Sequence, residues 1–299
     1  MISASKILSQ ILIFSILFSF CITIVVHYGT QDKEFAISDL QTNSQNVSSK
    51  ISWNPFGDFL IFWKQLIWEG GGKTNSGEGV YSYLSKRFFP TIVLASFTIL
   101  WSFFLSMFLS LELTSRNLLF WDAIFRNISN SILSIPIFIV AVLLLILFFY
   151  EWSLLPPGGY EPGRIEYLIL PSIALGTRSF SRFYLFMSDK AQRFWRNEFF
   201  ENMRFLLFPR SVLVYKNLFL YLVPSSLLLA LLEFSSLLGG AMIVEEIFFF
   251  PGMGRSLFQS IKLMDANLLG VLLLYSGILF YSSLLISRFL ESLFWEKGQ

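Results

Sequence analysis

The sequence predicts an all-α protein that crosses a membrane six times. Of its 299 residues, 55% are hydrophobic and only 14% are charged, and the mean hydropathy is +0.63. A water-soluble domain carries more charge than this on its surface. The apolar residues also fall into runs of roughly 20, the length that a helix needs to cross the hydrocarbon core. Lipid therefore solvates much of the folded chain.

Six apolar runs are the predicted spans. The first, Ile7 to His27, is preceded by a single charge at Lys6. The others are Phe88 to Leu111, Ser129 to Tyr150, about 165 to 187, Leu218 to Val244 and Leu268 to Leu290. The fourth run is the weakest, because Arg178 and Arg182 lie toward its end, and we expect them to reach a cytoplasmic interface of the membrane.

The spans divide the chain into four parts. These are an N-terminal transmembrane helix at 1–27, an extracytoplasmic insert at 28–86, a five-helix core at 87–290 and a cytoplasmic tail at 291–299. The insert is rich in Ser, Asn, Gln and Gly, which indicates loops, with a short helix at 56–68. In the third span Pro136 removes a backbone hydrogen bond and is expected to kink the helix.

Charge asymmetry orients the chain in the membrane. From residue 178 to residue 216 there are eight Lys or Arg against three acids, whereas residues 151–166 hold three acids and one Arg. By the positive-inside rule the loop at 188–217 is cytoplasmic. Counting spans from this loop places both termini in the cytoplasm and the insert outside.

Composition excludes several classes of function. The chain has one histidine, His27, and one cysteine, Cys21. These are too few to form a zinc or haem site, a disulfide framework or a His-containing catalytic triad. The stretch "GGGKT" at 70–74 lacks the first glycine of a phosphate-binding loop, where Ile67 stands, and we interpret it as a flexible loop. A net charge of +2 without a basic cluster argues against a nucleic-acid partner. We therefore expect no enzyme activity, no cofactor and no metal.

A series of short motifs carries a resemblance to a known family. In chain order they are "KRFFPTIVLA", "SIPIF", "LLPPGGY", "LILPSIAL", "LLGGAMIVEEIFFFPGMGRSL" and the aspartate Asp265. Together they resemble the permease subunit of bacterial oligopeptide/dipeptide-type ABC importers, the inner-membrane component of binding-protein-dependent transport systems. The resemblance covers essentially the whole chain and is densest from 86 to 270. It implies the fold of an ABC importer permease.

The most specific motif is Glu-x5-Pro-Gly-x-Gly-Arg, which the resemblance places at the outer mouth of the translocation path. It is formed by Glu245, Pro251, Gly252, Gly254 and Arg255. In such permeases the fifth span ends at the outer face, and the chain then folds back along the mouth before the sixth span.

Two further features accompany this motif. Gly239 and Gly240 are expected to let helices approach closely, and the resemblance adds them to the mouth. Pro251 and the glycines after it are expected to start a short helix at about 253–264. An apolar side of this helix, formed by Leu257, Phe258 and Ile261, can lie in the membrane interface.

The cytoplasmic loop between spans 4 and 5 departs from the family pattern. In the family this loop docks on the ATPase and holds a characteristic glycine, where this chain has Leu206. An apolar stripe at helical spacing is still present, formed by Phe199, Phe200, Met203, Leu206 and Leu207. We interpret it as an ATPase-coupling helix that Pro209 ends; the alternative is a helix lying on the inner leaflet.

Glu233 is a second departure, since the family tends to have glutamine at this place. An ionisable residue within a span is costly and usually faces the bundle interior or water. Glu233 either lines the translocation path or makes a protonated or hydrogen-bonded structural contact, and the sequence leaves both open.

The resemblance implies transport by ATP-driven alternating access. The chain would form half of the path for peptides or similar small solutes in the bacterial inner membrane. The implied partners are a second homologous permease, two ATP-binding cassette ATPase subunits, an extracytoplasmic substrate-binding protein and membrane lipid. The alternative is a degenerate or non-transporting membrane scaffold: the outer motifs favour transport, whereas the altered cytoplasmic loop favours the scaffold.

Overall fold

The computed structural model of the chain describes residues 4–40, 54–196 and 213–296. Every regular element in these ranges is helical, apart from one isolated β-bridge between Lys73 and Gly79. The α-helices are α1 (Ala4–Leu40), α2 (Pro55–Trp68), α3 (Val80–Ser115), α4 (Leu119–Ser134), α5 (Ile137–Leu145), α6 (Glu166–Trp195), α7 (Phe219–Gly240), α8 (Met242–Ile247), α9 (Met253–Lys262) and α10 (Ala266–Glu296). Two π-helical turns, Ile146–Glu151 and Leu213–Leu218, follow α5 and precede α7. The all-α fold class is confirmed.

Four segments of the described ranges are long and apolar enough to cross a membrane. They are Leu8–His27, Val80–Ser115, Leu213–Gly239 and Ala266–Leu290, and the pair formed by α4 and α5 gives a fifth if it counts as one broken span. The long helix α6 is not among them, because its arginines and serines lower its hydropathy. The predicted count of six spans is therefore not confirmed.

The third predicted span, Ser129 to Tyr150, is two helices and not one. The direction of the chain changes by 98° between α4 and the segment Ile137–Glu151. Ile135 at this break is extended, with φ −84° and ψ 129°, as residues before proline usually are. The kink predicted from Pro136 is confirmed and is sharp enough to divide the span.

The fifth predicted span ends earlier than expected. Its helix, α7, ends at Gly240, and Val244 belongs to the separate short helix α8. The short helices predicted at 56–68 and at about 253–264 are confirmed as α2 and α9. The chain thus makes two short helical segments between its last two long helices.

The pair of helices α3 and α6 forms the centre of the bundle, with α4, α5 and α7 packed around it. Gly176 of α6 lies against the ring of Trp101, and a Cβ at this position would be 2.1 Å from a ring atom. One turn further on, the hydroxyl of Ser106 donates a hydrogen bond to the carbonyl of Phe180 at 3.0 Å. Small residues therefore set the close approach of these two helices, as is common in membranes.

Aromatic rings join α1 to α10. Phe14 stacks on Tyr281 with ring centroids 4.2 Å apart, and Gly277 leaves room for the ring of Phe18. Across the end of this pair lies α2, whose Trp63 donates its indole N–H to the hydroxyl of Ser19 at 3.0 Å.

The glycine-rich loop at 70–79 has a defined conformation, which corrects its interpretation as a flexible loop. Glycine adopts a positive φ at no steric cost, and four of its glycines do so: Gly70, Gly71, Gly72 and Gly77. The backbone N–H of Asn75 donates to Oδ2 of Asp265 at 2.7 Å, while Oδ1 of Asp265 accepts from the N–H of Leu268 at 3.1 Å. Asp265 therefore caps α10 and holds the loop against it.

Candidate functional site

The first part of the site is centred on Glu245 in α8, whose side chain is fully buried. Its Oε1 accepts a hydrogen bond from the hydroxyl of Thr91 at 3.1 Å, and its Oε2 accepts from the backbone N–H of Arg255 at 2.8 Å. The oxygen of Thr91 in turn accepts from the backbone N–H of Met253 at 2.8 Å. One carboxylate thus joins α3, α8 and the first turn of α9.

The glycines of the Pro-Gly-x-Gly-Arg turn allow the backbone to approach this carboxylate. A Cβ at Gly252 would be 2.3 Å from the carboxyl carbon of Glu245. A Cβ at Gly254 would be 2.8 Å from the backbone of Met242 and 3.0 Å from Oε2 of Glu245. Neither glycine has a positive φ, so what the site requires is the missing side chain and not conformational freedom.

The side chain of Arg255 does not pair with Glu245. Its Nε donates to Glu246 at 3.0 Å, and its guanidinium also donates to the carbonyl of Phe249 at 2.8 Å and lies over the ring of that residue. Phe249 has φ of 49°, which is unusual for a bulky side chain. Arg255 therefore stabilises the strained residue that opens the turn.

Glu245 faces neutral donors in an enclosed space. Burial raises the pKa of the Glu245 carboxyl above its ordinary value, and the N–H groups of Arg255 and Gly254 and the hydroxyl of Thr91 oppose this effect. We refer to Thr91, Glu245, Gly252, Gly254 and Arg255 as the Glu245 cluster.

The "LLPPGGY" turn packs against the same region. The backbone N–H of Gly159 donates to the carbonyl of Phe248 at 2.8 Å, and a Cβ at Gly158 would be 1.8 Å from that carbonyl oxygen. The ring of Tyr160 meets that of Phe250 with centroids 5.2 Å apart. Two motifs that lie about 90 residues apart in the sequence therefore form one compact structure.

The second part of the site is an ion pair inside the bundle. Glu233 in α7 is 6% exposed, and its Oε1 lies 2.6 Å from the guanidinium of Arg182 in α6. Its Oε2 accepts from the hydroxyl of Ser179 at 3.3 Å. Arg182 thus turns toward α7 and does not extend to a membrane interface as predicted, because a buried carboxylate attracts it more strongly. The contact fits the structural interpretation of Glu233, and a role in the path stays a prediction.

Gly239 and Gly240 lie at the end of α7. No atom among the described residues comes within 4 Å of a Cβ placed at Gly239, which is exposed. The close helix packing predicted for Gly239 is therefore not present within the described chain. Such packing occurs instead at Gly176 and Gly277.

The outward faces of the long helices differ in chemistry. From Phe89 to Phe108 the exposed side chains of α3 are large and apolar: Phe89, Leu100, Phe104, Leu105 and Phe108. On α6 the exposed side chains are polar: Arg178, Gln192 and Arg193, with Arg182 partly exposed beside them. An apolar face suits lipid, whereas arginines within a membrane face protein or water.

A cavity of about 520 Å³ lies where α3, α4 and α6 meet at the opposite end of the bundle from the Glu245 cluster. On its wall Asp122 accepts hydrogen bonds from Tyr184 at 2.6 Å and Ser188 at 2.8 Å. Arg196 and Leu213, which border the undescribed stretch 197–212, also line it. The predicted coupling residues Phe199, Phe200, Met203, Leu206 and Leu207 all lie outside the described residues.

Sequence reasoning missed several residues of the site. Thr91 could have been found, because it follows Pro90 in the motif "KRFFPTIVLA", which contributes to the family resemblance. The pairing of Arg182 with Glu233 had only the weak signal of opposite charges in neighbouring spans. Asp122 had none, because it lies before the third predicted span.

This geometry defines an α-helical membrane protein with buried charged and polar contacts between its helices. Comparison with known proteins assigns the family. Residues 103–294 match the family described as binding-protein-dependent transport system inner membrane component. The match covers well over half of the chain, and the chain belongs to this family.

Several relatives are similar over most of their length. The glutathione transport system permease protein GsiC of Salmonella paratyphi A is 25% identical over 209 residues, which are 68% of this chain and 67% of that protein. The protein of the same name from Pectobacterium atrosepticum is 28% identical over the same shares. That of Escherichia coli (strain K12) is 26% identical over 183 residues, 61% of this chain and 59% of that protein.

The chain is therefore a permease subunit of an ABC importer, and its family is one of transporters and not of enzymes. Members of this family are multi-pass proteins of the inner membrane that work with ATPase and substrate-binding partners. The non-transporting scaffold is not favoured by these matches.

Proposed function

We propose that this chain forms half of the translocation path of an importer for peptides or similar small solutes. The other half is a second, homologous permease, and two ATPase subunits and one extracytoplasmic binding protein complete the complex. The relatives in three bacteria are named as glutathione permeases, and glutathione is a tripeptide. This supports a solute of peptide size.

The main support for the proposal is the charged side of α6 beside α7, which is formed by Arg178 and Arg182. Charged residues within membrane helices usually mark a substrate path or a water-filled cavity. The bond between Arg182 and Glu233 places this side of α6 next to α7, whereas α3 has no charged residue between Phe89 and Phe108. We therefore assign the path to α6 and α7, with Glu233 on its border and Gly239 and Gly240 at the end of α7.

The Glu245 cluster is the frame of the outer mouth in this proposal. Glu245 is fully buried, so it positions the turn and does not contact the solute. Because it connects α3, α8 and α9, these three elements move as one body when the path changes its access. Pro251, Gly252, Gly254 and Arg255 shape the turn that borders the mouth.

Both termini lie in the cytoplasm and the insert 28–86 lies outside in this arrangement, as the basic 188–217 loop indicates. Cysteine replacements in a Cys21→Ser background test it. A cysteine at Ser44 should react with a membrane-impermeant reagent in intact spheroplasts, and one at Arg196 should not. The reverse pattern would overturn the orientation.

The altered cytoplasmic loop still couples the permease to its ATPase through the stripe at Phe199, Phe200, Met203, Leu206 and Leu207. Phe200→Asp plus Met203→Asp would place unpaired charge in that interface, which is strongly unfavourable. The double variant should insert and bind the second permease but lose the ATPase on purification. Asn202→Asp, on the polar side, is the control and should keep it; retention by the double variant would contradict the coupling role.

The decisive experiment is uptake by the reconstituted complex. The chain is co-purified with the second permease, the ATPases and the binding protein that assemble with it, and uptake of labelled glutathione and trialanine into proteoliposomes is measured. We expect uptake of at least one of these probes that requires both ATP and the binding protein. The proposal would be contradicted if the assembled complex accumulates neither probe and its ATPase activity is not stimulated by the loaded binding protein.

A further inference from the structure

Arg178 is an exposed arginine near the middle of α6. It is residue 13 of the 30 in that helix. None of the ion pairs in the described part of the chain includes it, whereas Arg182, one turn further on, is bound to Glu233 at 2.6 Å. Glu233 is paired with Arg182, and Asp189 further along α6 is paired with Arg126 at 2.6 Å, so the charge of Arg178 is in excess on this side of α6.

The position of Arg178 is unsuitable for contact with lipid. The other sides of α6 are covered by α3, α4, α5 and α7, which leave one outward stripe. Arg178, Arg182 and Asp189 fall on this stripe at helical spacing. A guanidinium at mid-helix needs water or an anion, because hydrocarbon offers neither.

The exposed residues of α7 are small only beyond Glu233, whereas Leu227 and Leu232 before it are large and apolar. Its outward residues include Ser236 and Gly239, both exposed. The hydrogen bond from Ser179 to Glu233 brings the two helices together directly beside Arg178. The small residues of α7 therefore leave open space beside Arg178, whose charge is available to a ligand.

We propose that Arg178 recognises a carboxylate of the passing solute, so that the path favours solutes with a free carboxylate. This rests on the proposed function of α6 and α7 as the path. The planar guanidinium matches a carboxylate through two parallel hydrogen bonds. Because Arg182 is already paired with Glu233, only Arg178 is available to bind an anion at this site. A single cation of this kind binds an anion weakly enough to release it again.

The first test measures the electrostatic potential beside Arg178. Ser236→Cys, in a Cys21→Ser background within the assembled complex, is reacted with an anionic and with a cationic methanethiosulfonate reagent. We expect the anionic reagent to react faster than the cationic one, because the positive charge of Arg178 attracts it. Arg178→Gln should lower the ratio of the two rates roughly fivefold, the effect of one unit charge at several ångströms in water. Arg178→Lys should keep the ratio, and Arg116→Gln, at the far end of α3, is the control that should not change it.

The second test compares uptake of trialanine with uptake of its C-terminal amide. Arg178→Gln should lower uptake of trialanine about tenfold, the size of one lost charge-assisted hydrogen bond, and Arg178→Lys should retain most of it. Uptake of the amide should be equal in wild type and variants. Stimulation of the ATPase by the binding protein should not change.

The outcomes separate this proposal from the proposed function. A wild-type complex without uptake contradicts the function, while the rate ratio at Ser236→Cys still tests Arg178. A cysteine at position 236 that reacts with neither reagent, or a ratio unchanged by Arg178→Gln, overturns the anion site. Loss of the second permease from the Arg178→Gln complex also overturns it, because Arg178 would then belong to the interface between the two permeases.

Discussion

Two buried glutamates, Glu245 and Glu233, are neutralised in different ways. Glu245 is enclosed by a hydroxyl and backbone N–H groups, and the glycine turn around it leaves no space for another side chain. Glu233 is held by the guanidinium of Arg182, whose side chain is 37% exposed, and by one hydroxyl. The backbone fixes the first contact, whereas a rotation of two side chains breaks the second.

This difference suits the two roles that we propose for these glutamates. A mouth that docks a binding protein needs a fixed frame, and the Glu245 cluster joins three helices through one carboxylate. Helices that border a path must change their separation. An ion pair between α6 and α7 permits such a change, because water can solvate its partners when they part.

The largest effect is expected from breaking the ion pair on one side. Arg182→Met leaves Glu233 buried with only the hydroxyl of Ser179 as a partner and should lower the free energy of unfolding by about 3–5 kcal/mol. Arg182→Met plus Glu233→Met removes both charges and should recover most of the loss. Thermal unfolding of the complex in detergent measures both; equal losses in the single and the double variant would show that the pair is not the stabilising contact.

A smaller effect is expected at the glycine turn. Gly252→Ala places a Cβ 2.3 Å from the carboxyl carbon of Glu245, and overpacking of this kind costs about 1–3 kcal/mol. We expect lower stability of the complex and loss of binding-protein docking, measured by unfolding and by a pull-down. Stability equal to wild type would mean that the turn can move away from Glu245.

The pH dependence of stability distinguishes the two glutamates further. Because burial raises the pKa of Glu245, the folded state binds the proton more tightly than the unfolded state. Its contribution is present below the unfolded-state pKa and is lost as the pH rises through the folded-state pKa. Compared with Glu245→Gln, wild type should therefore lose stability as the pH rises above the ordinary carboxyl pKa of 4.5, as followed by unfolding at each pH. A relative gain over this range would contradict the raised pKa.

The smallest effect is expected at Gly239. A Cβ there meets no atom within 4 Å among the described residues, so Gly239→Ala should change stability by no more than about 0.5 kcal/mol. Uptake should also be retained, since a methyl group leaves the path open. A loss of assembly would show that Gly239 packs against the second permease.

The sequence predicted much of the fold and one of the two glutamate sites. Runs of apolar residues located the long helices, and Pro136 located the sharp break, because both signals are local. The Glu245 motif was recognisable because its glycines are required within ten residues of the carboxylate that they surround. The same locality explains why α2 and α9 were found at nearly their observed bounds.

The rest depends on contacts between distant segments. Arg182 and Glu233 are 51 residues apart, and neither helix alone shows which way the guanidinium turns. Gly239 was expected to pack closely because glycines often do so in membranes, yet Gly176 and Gly277 have that role, since each lies against a bulky ring of another helix. The six-span count was not confirmed, because α6 owes its place to its neighbours and not to its own hydropathy.

We propose that the outward side of α6 and the adjoining stripe of α7 border a water-filled path, while the outward side of α3 faces lipid. The most direct test of this claim is the reactivity of single cysteines, in a Cys21→Ser background, with a membrane-impermeant thiol reagent during ATP-driven cycling of the reconstituted complex. Leu185 is half-buried and falls on the same stripe of α6 as Arg178 and Arg182. Cysteines at Leu185 and Ser236 should react, and cysteines at Leu100 and Phe104 should not. Reaction at Leu100 and Phe104 with none at Leu185 and Ser236 would contradict the claim.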